Sequence, residues 1–195
     1  VIPLNIARAI SRIWDMGDPV LGNKVHLGLH IQFDPEDEVV QMETACKIAA
    51  IQIFFDSSLL TDTTALDGLH DILIPEKEVR KYIRSKGKGP LEFEPFDENS
   101  YQWRDINEAL RASHVVRSPR GIELPTTGVR INNLIAVGKI FDDIYDGEDA
   151  SQVIKVGQET PLGVIHFHVD IETQDTTVDC SVYVMPCRLE VADEE

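Results

Sequence analysis

Alternation constrains this chain more than anything else in its sequence. In "GVIHFHVDIE", residues 163–172, Ile165, Phe167, Val169 and Ile171 take one parity and His166, His168, Asp170 and Glu172 the other. That period of two belongs to a strand with one face buried. "TVDCSVYVMP" repeats it, with Val178, Cys180, Val182 and Val184 on one face and Asp179, Ser181, Tyr183 and Met185 on the other. Only "TQDT" separates the two runs, which predicts an antiparallel C-terminal hairpin over 163–172 and 177–185. A third alternating run lies in "NKVHLGLHIQFDP". Val25, Leu27, Leu29, Ile31 and Phe33 face one way and His26, Gly28, His30 and Gln32 the other, predicting a strand over 24–34.

Helical spacing is confined to other stretches. Ile6, Ile10, Ile13 and Trp14 predict an N-terminal helix that stops near Gly17. Pro75 with Glu76 and Glu78 opens a helix ending near Gly87, and Asp62 or Thr63 caps a shorter one before it. Val39, Met42, Cys46, Ala49 and Ile53 follow a 3, 4, 3, 4 rhythm that favours a helix, giving way to extended chain near Ile53. Residues 101–113 read as a helix, and 129–150 as a helix through Ile131, Leu134, Phe141 and Tyr145, with strand as the alternative for 129–137. The expected fold class is α+β: an antiparallel sheet with amphipathic helices packed on its apolar face. At 195 residues a single domain, 1–195, is the default, with the loop "SPRGIELPTTG" (118–128) as a point of subdivision.

Charge narrows the partners. Acids outnumber bases 34 to 18, a formal net charge of −16, so phosphate backbones and anionic bilayers are repelled over most of the surface. No apolar run approaches the roughly 20 residues of a spanning helix. Cys46, Cys180 and Cys187 form no Cys-x-x-Cys pair and are odd in number, which suits a reducing, cytoplasmic compartment. The opening "VIPLNIARAISRIW" does not have the form of a signal peptide.

The histidines carry the sharpest chemical question. His166 and His168 are same-face neighbours on a strand, about 6.5–7 Å apart at the backbone, so both imidazoles can lean toward one ion. The candidate metal set is His166, His168 and a group from a partner strand, His26, His30 or Asp179, and zinc or another first-row divalent cation suits it. In an enzyme built on that set, Asp170 orients an imidazole while Asp179 or Glu172 acts on metal-bound water. The plainer account is the wet face of an antiparallel sheet, where histidine and acids are ordinary residents.

Other chemistry is weaker still. Cys46 and Cys180 fall on apolar faces, Ser113–His114 has no nucleophile elbow, and "RSKGKGP" lacks phosphate-loop spacing. Lys77, Arg80, Lys81, Arg84, Lys86 and Lys88 gather six of the 18 basic residues within 12 positions. They form either a solvated helix face or a docking strip for an acidic partner, the nearest being another copy of the chain through "DDIYDGED" or "DPEDE"; nucleic acid is expected at this strip if anywhere. With no cofactor required, the primary expectation is a non-enzymatic assembly subunit, a self-associating component of a larger cellular or viral particle. A metal-dependent enzyme and a small-ligand-binding domain are the alternatives.

Overall fold

The fold is taken from a computed structural model that describes residues 2–16, 28–46, 48–60, 71–96, 114–118, 127–145, 153–158, 164–172 and 177–191. Its helices are α1 (Leu4–Met16), α2 (Glu76–Arg84) and α3 (Ile131–Tyr145). Its strands are β1 (Gly28–Asp34), β2 (Val39–Ala45), β3 (Ala49–Asp56), β4 (Asp71–Pro75), β5 (Glu94–Pro95), β6 (His114–Ser118), β7 (Thr127–Gly128), β8 (Lys155–Gln158), β9 (Ile165–Glu172), β10 (Thr177–Val184) and β11 (Cys187–Val191). Eight of them form one sheet in the order β5-β4-β1-β2-β3-β10-β9-β8, every neighbouring pair antiparallel. β6, β11 and β7 form a small second sheet. The α+β class expected from the sequence is therefore the class observed.

Register explains the two faces. Ile72, Ile31, Met42, Ile53, Cys180 and Val169 are successive partners across six strands, so one row of apolar side chains crosses the sheet. Over this face lie α1, α2 and α3, whose Ile6, Ile10, Ile13, Val79, Ile140 and Phe141 complete the buried core. A polar intruder on that face, Thr44, is satisfied: Trp14 Nε1 donates to its hydroxyl at 2.9 Å, and the hydroxyl donates to the Gly28 carbonyl at 2.8 Å. Arg12 pairs with Asp143 to tie α1 to α3, and the Tyr82 hydroxyl donates to the Ile2 carbonyl at 2.7 Å.

α2 starts directly after Pro75, with Glu76 and Glu78 in its first turn and Lys81 and Arg84 in its last, the arrangement its dipole favours. It closes through Gly87 at φ 77°, whose amide donates to the Tyr82 carbonyl. Gly28 marks a close approach: a Cβ there would sit 2.4 Å from the Ile74 carbonyl oxygen.

One expectation is corrected. Residues 39–53 are not a helix but the β2–β3 hairpin, turned at Cys46, whose amide donates to the Ala49 carbonyl at 2.7 Å. The 3, 4 spacing was a coincidence: β2 buries Val40, Met42 and Thr44 in alternation, but β3 opens on three successive buried residues, Ala49, Ala50 and Ile51, that break the period of two. The helix over 129–150 is the one described at Ile131–Tyr145. The helices expected after Asp62 and over 101–113 lie outside the described residues, as do residues 24–27 and 119–126.

Candidate functional site

The non-core face of the large sheet gathers the polar side chains. Through the strand register His30, Glu43, Gln52, Ser181, His168 and Lys155 form one continuous row from β1 to β8. The adjacent row runs Asp71, Gln32, Gln41, Phe54, Asp179 and Asp170. This is not a uniformly wet face: His30 and Ser181 are buried, and Glu43, Gln52 and His168 are half-buried.

His30 and His168 thus share a face, as their alternation required, but they do not converge. β2, β3 and β10 stand between β1 and β9, a separation of about 19 Å at about 4.8 Å per strand. His30 is removed from any site centred on His166 and His168, and His26 lies outside the described residues.

Two separate histidine centres result. In the first, His30 Nδ1 lies 3.0 Å from Glu43 Oε1 and Nε2 lies 3.1 Å from Asp71 Oδ1. Phe96 stacks on the ring at 4.0 Å between centroids. Gln41 and Gln52 each donate an amide hydrogen to Glu43 Oε2, at 3.3 and 3.4 Å. The imidazole, only 4% exposed, is enclosed among protein partners.

In the second centre, His168 Nδ1 lies 3.1 Å from Ser181 Oγ and 3.5 Å from Asp179 Oδ1, while Nε2 lies 2.7 Å from Asp170 Oδ1. Lys155 reaches over from β8 to Asp170 at 2.5 Å. That hydrogen bond raises the Lys155 pKa and holds the Asp170 carboxyl below the ordinary carboxylate range. One ligand atom from each of His168, Asp170 and Asp179 falls within 4.8 Å of the others. Asp170 and Asp179 meet because they are register partners across β9 and β10.

His166, expected in the first coordination shell, lies beside this cluster rather than in it. Its ring stacks almost parallel on Tyr183, 4.7 Å away, with the His168 ring at 5.7 Å. Its Nε2 is shut off from solvent and has no hydrogen-bond partner among the described residues. Burial, helped by the neighbouring His168 and opposed by Asp179, lowers its pKa. The side chain of Glu172 lies outside the described residues.

Ser181, His168 and Asp170 have the connectivity of a hydrolytic triad, but not its setting. Ser181 is buried within β10, a strand paired on both sides, so the surrounding amides belong to the sheet ladder and none is spare to stabilise an oxyanion. Cys46 and Cys180 are buried too, and burial raises both thiol pKa values, Cys180 well above normal. Both are poor nucleophiles in the folded chain.

The basic strip is partly consumed inside the fold. Arg80 pairs with Glu76 at 2.7 Å and Asp15 at 2.9 Å and lies over the Trp14 ring. Lys81 pairs with Glu78 at 3.2 Å, and Arg84 Nε donates to the Arg80 carbonyl. Lys77, Lys86 and Lys88 project from the surface. At the opposite end of the sheet the surface is apolar where least expected: Val153 is 81% exposed and Val156 64%. α3 adds exposed Ile131, Leu134 and Ile135, spaced as one stripe.

Comparisons of the chain with protein-family models, curated proteins and solved structures return no match. Among the described residues no helix is long and apolar enough to cross a membrane.

Proposed function

We propose that this protein is a non-enzymatic assembly subunit that joins a second copy of itself across the edge strand β8. The observation that carries this reading is the edge itself. β8 pairs only with β9 among the described strands and is exposed at all four positions. Edge strands offer a row of backbone donors and acceptors, and proteins ordinarily blunt them. β8 carries two such devices, its four-residue length and Lys155, yet "VIKVGQ" (153–158) also exposes Val153 and Val156 and contains no acid, in a chain of net charge −16.

A second copy fits that surface because an antiparallel strand edge is self-complementary under a two-fold axis. It also lets two acidic chains meet along a segment, 153–158, that carries no acid of its own. A four-residue edge is small beside the roughly 1,000 Å² of a specific interface. We assign the remaining area to α3, which contacts β9 and carries the exposed stripe Ile131, Leu134 and Ile135.

Native mass spectrometry of the purified chain and of Val156→Lys tests the proposal. The wild type is expected at a defined multiple of the chain mass and the variant at one chain mass. A wild type that is monomeric at every concentration, or a variant that keeps the wild-type mass, overturns it.

A further inference from the structure

We infer that His168, Asp170 and Asp179 form a binding site for one divalent first-row transition-metal cation, with zinc the best chemical fit and His166 next to it as an auxiliary ligand. The site is independent of the assembly reading. Three features support it.

The donor set comes first. One imidazole and two carboxylates, with ligand atoms within 4.8 Å of each other, need only small side-chain rotations to meet bonds of about 2.0–2.2 Å. Imidazole selects for zinc and its first-row neighbours over magnesium and calcium, which prefer oxygen alone. Their supports are stiff, because Asp170 and Asp179 are directly opposed on paired strands and the Ser181 hydroxyl, 3.1 Å from Nδ1, steadies the His168 ring.

Charge balance is the second feature. Among the described residues two carboxylates face the one ammonium of Lys155, which pairs with Asp170. A cation is already favoured at this place, and a dication that displaced the 68%-exposed Lys155 side chain would answer both acids. The third is the Nε2 atom of His166, closed to solvent and without a hydrogen-bond partner among the described residues. An unmet buried polar atom calls for a partner. With the His166 ring 5.7 Å from that of His168, a cation at the cluster offers its lone pair one, directly or through bound water.

Lys155 makes the inference sharp, because the lysine is a competitor of the ion and not a helper. Zinc chloride titrated into the 195-residue chain, read by native mass spectrometry and calorimetry, is expected to give one tight ion per chain. His168→Ala and Asp179→Asn should each weaken binding by about tenfold or more, His166→Ala by less, and Lys155→Met should strengthen it. Thermal unfolding of each variant without zinc shows whether it folds, and Asp179→Asn, which keeps the side-chain volume, stands in if His168→Ala does not. Absence of a stoichiometric ion in the wild type overturns the inference, as does equal zinc affinity in the wild type and in both ligand variants. Weaker binding in Lys155→Met would contradict the assigned competition.

Discussion

His30 and His168 sit in the same row of the same sheet face, each between two acidic side chains, yet their settings differ in kind. The His30 ring is 4% exposed beneath Phe96, and its partner Glu43 is 12% exposed and held by two glutamine amides. The His168 ring is 18% exposed, with its acids at 38% and 42% and Lys155, 68% exposed, as the cation on Asp170. Enclosure turns the first centre into a piece of structure, where every polar atom is costly to leave unmet. Openness leaves the second weakly coupled to folding and accessible to solutes. The same side-chain chemistry thus divides one sheet into an enclosed, structural end at β4-β1-β2 and a more open end at β10-β9-β8.

That division can be attacked directly. His30→Ala should give the largest loss, about 3 kcal/mol, because it leaves a cavity under Phe96 and strips the half-buried Glu43 carboxylate of its partner. At this chain length that is a fall in Tm of roughly 6–12 °C, and a fall of a degree or two would erase the distinction. Gly28→Ala, also at the structural end, should cost about 2 kcal/mol, since its methyl meets the Ile74 carbonyl and either β1 or β4 must shift. Denaturant unfolding measures it, and a neutral result would mean the two strands are loosely joined.

His168→Ala should cost less than about 1 kcal/mol, because its two acidic partners are more than one-third exposed and can be solvated in its absence. A loss equal to that of His30→Ala would make the second centre structural as well. The smallest effect is expected from Lys81→Glu combined with Arg84→Glu: no change in assembly mass, with at most a shift at low salt. A monomer in that variant would move the interface from β8 to α2.

Much of this was legible in the sequence because alternation survives wherever one sheet face differs from the other. β1, β9 and β10 were read with the correct faces for that reason. β2 and β3 were not, since Ala45, Cys46, Ala49, Ala50 and Ile51 are buried at both parities about the turn and hide the alternation of Val40, Met42 and Thr44. β8 offered four residues, too few to show a period. The histidine face was visible, but its division into two centres depends on β2, β3 and β10 intervening, and strand order is a property of long-range packing. Asp179 was reachable from the predicted hairpin, and Asp170 was identified as a partner of the imidazole. Lys155 was hidden, because nothing near it in sequence says that β8 lies beside β9.

Hydrogen–deuterium exchange of the wild-type chain over a range of protein concentrations tests the central claim most directly, comparing amides of residues 153–158 with those of 28–34. If β8 is where copies join, protection at 153–158 should rise with concentration while 28–34, already paired on both sides, stays constant. Exchange at 153–158 that is equally fast at every concentration would contradict the assembly account.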